Sequence, residues 1–140
     1  VVVTPPWNFP LAIPASGTLA ALMAGNPVIL KPALETVLVA SRLAEICHAA
    51  GVPRDVLQFL VCDDDVGSQL IRDARVANVI LTGATSTARK FYELRPELAL
   101  LAETGGKNSI IVSDLADRED GWVAGRHAIV NHNTAARSHQ

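Results

Sequence analysis

Aromatic side chains are scarce in this 140-residue chain, at 4% of positions; charged ones reach only 19%, and there are two cysteines. Each shortage closes off a class of protein. Low charge beside a hydrophobic share of 49% excludes an extended disordered chain, because there is enough apolar surface to build a core. A formal net charge of −2 without any basic block excludes electrostatic binding of nucleic acid. Cys47 and Cys62 cannot form a disulfide framework, and neither belongs to a C-x-x-C pair, so a reducing, cytoplasmic setting is expected. No internal repeat or low-complexity linker interrupts the chain, whose length suits one domain or part of one.

Charge is also missing at the start, where Lys31 is the first ionic side chain. An uncharged run of that length could in principle cross a bilayer. Pro5, Pro6, Pro10, Pro14 and Pro27, with Asn8, Gly17, Gly25 and Asn26, break any single helix and free backbone groups that lipid cannot satisfy. Nothing resembles a signal peptide either. The run reads as a buried strand–loop–helix–strand passage.

What is present is an alternation. Val1-Val2-Val3 is a β-branched run stopped by Pro5-Pro6. Residues 13–23 (IPASGTLAALM) suit a helix ending near Gly25-Asn26, and 27–31 (PVILK) a short strand. Val37, Ala40, Leu43, Ala44 and Cys47 recur at helical spacing until Gly51 and Pro53. Further strands are expected over 56–61, 76–81, 98–102 and 109–112, and further helices over 66–73 and 85–94. The strands are continuous apolar runs, which implies a mostly parallel sheet with helices on both faces and right-handed crossovers. The fold class is α/β, Rossmann-like. Beyond Gly121 the pattern fades, and a helix starting near Glu119 gives way to a frayed terminus.

Ligands of open α/β sheets bind at the carboxyl ends of the strands. Three such ends carry distinctive residues: the loop Pro6-Trp7-Asn8-Phe9-Pro10, the Lys31-Pro32-Ala33 end of PVILK, and the small-residue turn Thr82-Gly83-Ala84-Thr85 opening a helix. A helix start of that kind can face a phosphate. A fourth motif, Glu103-Thr104-Gly105-Gly106, places a carboxylate on a glycine-rich turn between two strands. Singly, each has an ordinary explanation: a packed turn, a solvated lysine, a plain strand–helix connection, a turn cap.

In their order and spacing, P-W-N-F-P, K-P-A, the T-G turn and E-T-G-G-K-N resemble the aldehyde dehydrogenase superfamily over about residues 1–120. AIPASGTLAALMAGNPVILKPALETV and LLAETGGKNSIIVS resemble more narrowly the glutamate-γ-semialdehyde (Δ1-pyrroline-5-carboxylate) dehydrogenases, including the dehydrogenase half of bifunctional proline-utilization enzymes. The resemblance implies NAD(P)-dependent oxidation of an aldehyde to a carboxylate, glutamate γ-semialdehyde to glutamate in proline catabolism, through a cysteine thiohemiacetal and thioester. NAD is the implied cofactor, with NADP as the alternative.

By the same resemblance, Asn8 supplies a side-chain N–H to the developing oxyanion, and Glu103 is the general base for the deacylating water. Lys31 hydrogen-bonds the adenosine ribose, while Gly83 and the following helix start lie against the pyrophosphate. Trp7 and Gly105 shape the nicotinamide side. Pro6, Glu35, Gly67, Thr82, Ala84 and Thr104 complete the implied cofactor-binding set. The implied partner is a small aldehyde, with no nucleic acid, metal or membrane span, and the parent enzyme is implied to be a homo-oligomer.

The chain also departs from that pattern. Leu34 follows K-P-A where an acid often stands, with Glu35 one place later; Ala84 replaces the usual serine after T-G, and Ala88 a frequent glycine. The family places its nucleophile in a G-Q-x-C motif about 34 residues beyond the base, a count that lands on Arg137. No G-Q-x-C is present, and Cys47 on a helix face and Cys62 at the end of a core strand read as inert thiols. The chain is therefore expected to be a fragment, inactive alone, with a partial NAD(P)-binding domain at 1–120 and an atypical tail at 121–140. A second reading is a non-catalytic, nucleotide-binding or misfolding-prone remnant; a third is an unrelated nucleotide-binding α/β module. His127, His132 and His139 fit no metal-ligand spacing and read as solvated.

Overall fold

The structure, a computed structural model, describes residues 1–105. The strand expected at 109–112, the helix near Glu119 and the tail beyond Gly121 lie outside the described residues. Within them strands and helices alternate: β1 (Val2–Thr4), α1 (Ala12–Met23), β2 (Val28–Leu30), α2 (Val37–Ala49), β3 (Leu57–Phe59), α3 (Asp64–Arg72), β4 (Asn78–Gly83), α4 (Thr85–Leu94) and β5 (Ala99–Thr104). A single 3-10 turn, Leu34–Thr36, leads into α2.

Local chemistry sets these boundaries. Pro14 is the third residue of α1, where its missing N–H is harmless because the first amides of a helix have no carbonyl partner within it. α1 stops where the Gly25 N–H donates to the Leu22 carbonyl (2.9 Å) and the Asn26 N–H to that of Ala21 (3.1 Å). That closure requires the left-handed backbone found at Gly25, φ +79°. α2 closes on the same bond pattern through Gly51 and Val52. α3 starts earlier than expected, at Asp64, because the Asp63 carboxylate accepts from the Val66 N–H at 2.9 Å and caps it.

All strands are parallel, in the order β3-β2-β1-β4-β5. Neighbours along a strand point to opposite faces, so Val2 and Val3 enter different cores. Val3 joins Val28, Leu30 and Leu57 under Ala21 of α1 and Ala40, Leu43, Ala44 and Cys47 of α2. Val2 joins Val79, Ile71, Val76 and Leu98, with Phe91 and Leu94 of α4 packed against them. The α/β class, the parallel sheet and a two-sided core thus agree with the sequence reading.

Several details differ. The strands expected at residues 1–3, 27–31 and 56–61 are shorter or shifted, because only residues with a partner in register pair. β4 and β5 run past their apolar stretches, since Thr82 pairs with Glu103 and Gly83 with Thr104 through the backbone, whatever the side chains. Glu103 therefore lies within β5 and not on a turn. Cys62 does not end a core strand: β3 stops at Phe59, and Cys62 is half-buried in the loop before α3. The second helical layer is also incomplete among the described residues. α1 stops short of β5, leaving an open groove beside it, with Leu101 60% exposed.

Strand order positions the site. The chain steps outward from β1 through β2 to β3, then returns to the other side of β1 for β4 and β5. The direction of winding thus reverses between β1 and β4. Their carboxyl ends flank the crevice where such sheets bind ligands.

Candidate functional site

A groove of about 590 Å³ opens at that reversal point. Its walls bring together Pro6 and Trp7 from the loop after β1, Lys31 and Glu35 after β2, and Thr82, Gly83 and Ala84 at the junction of β4 and α4. These seven expected site residues are far apart in sequence, and parallel strands deliver them to one edge. The 3-10 turn swings Glu35 into the lining even though Leu34 takes the position directly after K-P-A.

Sequence reasoning missed part of the wall. Cys62, Asp63, Asp64 and Thr87 also line the groove. The run of aspartates at 63–65 is a recognisable helix-start signal and could have marked this end of α3. Cys47, by contrast, is buried in the core as expected.

Two helices begin at the groove with opposite electrostatics. α3 carries Asp63 at its cap and Asp64 and Asp65 in its first turn. The cap of α4 is Ala84, which is buried, offers no side-chain acceptor, and is followed by no acid in the first turn. The partial positive charge of a helix start is thus already countered at α3, whereas α4 suits an anion. Lys31 is the groove's cation, and its ammonium makes no hydrogen bond or ion pair with a described residue. Its stem crosses Gly67 of α3, where an added Cβ would stand 2.9 Å from Lys31 Cε. Gly67, expected to touch the cofactor, lies buried against Lys31 and outside the lining.

The residues expected to do chemistry sit apart from this wall. Glu103 lines a second groove of about 430 Å³ on the α1 face, with Ile13, Gly17, Ile80 and Leu101. Thr4, Pro5, Leu81 and Thr82 line both grooves, so the two meet over the tips of β1 and β4. Asn8 is exposed and lines neither. Thr104 also lies outside both; a Cβ on Gly105 would stand 3.7 Å from Thr85 Oγ1, at the start of α4. Among the described residues no cluster of histidine, cysteine and carboxylate could hold a metal ion, and no helix is long and apolar enough to cross a membrane.

One carboxyl is strongly perturbed, and it lies at the opposite end of the sheet. The Arg75 guanidinium donates to Asp73 at 2.6 Å and 2.9 Å and holds its carboxyl far below the usual carboxylate range. The pair borders a groove at the amino ends of β1 and β2.

Comparison with known proteins adds a family. Residues 1–133 match the model of the aldehyde dehydrogenase family. The bifunctional protein PutA of Rhizobium meliloti is 44% identical over 124 residues, 83% of this chain and 10% of that protein. The solved 1-pyrroline-5-carboxylate dehydrogenase of Thermus thermophilus is 36% identical with a TM-score of 0.73, over 92% of this chain and 26% of that one. The succinic semialdehyde dehydrogenase of Streptococcus pyogenes, solved with NADP+ as the cofactor, is 30% identical with a TM-score of 0.72, over 83% of this chain and 26% of that one. The chain spans about a quarter or less of the length of the curated relatives it matches.

Proposed function

The chain belongs to the aldehyde dehydrogenase family, and from that premise we propose that it is the dinucleotide-binding part of an enzyme that oxidises glutamate γ-semialdehyde to glutamate in proline catabolism. One observation carries the reading: a cation and an uncapped helix start lie on one groove at the reversal point of the sheet. Lys31 hydrogen-bonds the adenosine ribose. Gly83 and the start of α4 receive the pyrophosphate, and Pro6, Trp7, Thr82 and Ala84 wall the groove beside it. Thr104 and Gly105 border the nicotinamide side. The chemistry that the dinucleotide supplies when bound is acceptance of a hydride.

Glu35, Asp63 and Asp64 favour NAD+ over NADP+, because three carboxylates against one ammonium disfavour a further phosphate. Glu103, across the strand tips, takes the proton of the water that hydrolyses the acyl intermediate, and Asn8 donates to the developing oxyanion. The free thiols suit a cytoplasmic enzyme, and the parent protein is read as a homo-oligomer on the family resemblance. A second reading, nucleotide binding without turnover, is favoured by the absence of a G-Q-x-C motif from the sequence.

Titration of NAD+ into the 140-residue chain tests the proposal. A charge-assisted hydrogen bond is worth about 1.5–3 kcal/mol, so Lys31→Ala is expected to weaken binding roughly 10–100-fold. Equal affinity in the variant refutes the role of Lys31. Reduction of NAD+ with glutamate γ-semialdehyde, measured on the parent enzyme because the chain alone is expected to be inactive, decides between the two readings.

A further inference from the structure

Glycine is the poorest helix former after proline, so one inside a short helix asks for a reason. Gly67 is the fourth residue of α3, its N–H already bonded to the Asp63 carbonyl at 2.9 Å. The three atoms nearest to an added Cβ all belong to one side chain: Lys31 Cε at 2.9 Å, Cδ at 3.6 Å and Nζ at 3.9 Å. Apart from the backbone of α3 itself and the neighbouring residues in the chain, nothing else stands as close. The Lys31 ammonium has no partner among the described residues, so none of them holds it over the groove by a hydrogen bond. What locates it is the packing of its stem, and the bare Cα of Gly67 is the track on which that stem lies.

We propose that Gly67 is a positioning residue for dinucleotide binding: by lacking a Cβ it lets Lys31 cross α3 and holds the ammonium where the ribose is read. The inference rests on the dinucleotide reading above. It assigns Gly67 no contact with the ligand and routes its whole effect through Lys31. A methyl at this position must displace the far end of the lysine, since 2.9 Å is closer than a Cβ approaches any heavy atom. That end is flexible, so the displacement is cheap for the fold and costly only for the position of the charge.

The test is a double-mutant cycle on the 140-residue chain, with NAD+ as the probe and thermal unfolding run in parallel. Gly67→Ala is expected to raise the Kd for NAD+ by about 3–10-fold, part of the effect of losing the lysine, while Tm stays level or rises with alanine's better helix propensity. On a Lys31→Ala background the same change is expected to leave Kd unaltered. Unchanged binding in Gly67→Ala, the same further loss without Lys31, or a fall in Tm each overturns the positioning role. Unchanged binding in Lys31→Ala refutes the role of Lys31, and this proposal with it, whereas no binding of NAD+ by the unaltered chain refutes the dinucleotide reading itself.

Discussion

Replacing Arg95 by alanine should cost the chain about 2–4 kcal/mol of stability, a large share of what a domain of this size possesses. Arg95 follows α4, and its guanidinium reaches back to the connection between α3 and β4. One terminal nitrogen donates to the Val76 carbonyl at 2.6 Å and to the Asp73 carbonyl at 3.1 Å, both partly buried. The side chain is only 14% exposed, so water cannot readily replace either bond. Hydrogen bonds from a charged donor contribute about 1.5–3 kcal/mol each. Sharing one nitrogen between two acceptors trims the total below twice that; the Val76 carbonyl loses its 2.6 Å partner, while the Asp73 carbonyl keeps the Val76 N–H at 3.0 Å. The remaining contact, Nε to Glu97 at 3.2 Å, joins a carboxylate that is 74% exposed and adds little. Urea unfolding of Arg95→Ala, Arg95→Lys and Glu97→Gln checks the assignment. Lysine should recover part of the loss by reaching one carbonyl, and Glu97→Gln should lie within about 0.5 kcal/mol of the parent. A loss under 1 kcal/mol in Arg95→Ala, or a larger one in Glu97→Gln, would refute it.

Other outcomes are expected on the same footing. Thr18 is fully buried and its hydroxyl has no hydrogen-bond partner among the described residues, so Thr18→Val should leave stability unchanged or raise it by about 1 kcal/mol, as thermal or urea unfolding will show. Arg75 keeps the Asp73 carboxyl below its ordinary range, so the pair contributes stability above the ordinary carboxylate pKa and loses it as pH falls toward the lowered one; Asp73→Asn should flatten that acid limb in pH-dependent unfolding. Leu30, wholly buried in β2, should cost about 3–5 kcal/mol as Leu30→Ala, measured by the same unfolding. In an intact relative carrying the cysteine, the change equivalent to Glu103→Gln should slow steady turnover about 10²–10⁴-fold while a burst of reduced cofactor survives.

The sequence was most legible where one local signal decides the outcome. The helix expected at 85–94 matches α4, because a small-residue turn precedes it and Pro96 follows soon after its end. The end of α1 was readable from Gly25-Asn26. Sheet register was not, since it depends on which partner each strand finds: Glu103 became a strand residue only because Thr82 lies opposite it. The place of Cys62 failed for the same reason, as VLQFLV carries an apolar run two residues past the last paired position. On the candidate site, the motifs singled out Lys31, Glu35 and the Thr82–Gly83 turn, which line one groove because parallel strands carry them to one edge. The contact of Lys31 with Gly67 joins the end of β2 to a helix from another crossover, and no local pattern in either segment encodes it.

The order β3-β2-β1-β4-β5 also bears on how the chain comes to be folded. β1 is the middle strand, yet it is among the first residues in the chain, and its two neighbours come from very different distances along it. Val2 pairs with Ile29 on one side and with Val79 on the other. Closing the longer of those loops costs about 1 kcal/mol more in chain entropy than closing the shorter. A nascent chain can therefore lay β2 and β3 against β1 early, whereas the other edge of β1 stays unpaired until β4 arrives. Through that interval Val3 already has its partners from α1, β2, α2 and β3, whereas Val2 awaits Ile71, Val76, Val79 and Leu98. The middle strand of the sheet thus gains its two neighbours at well-separated times.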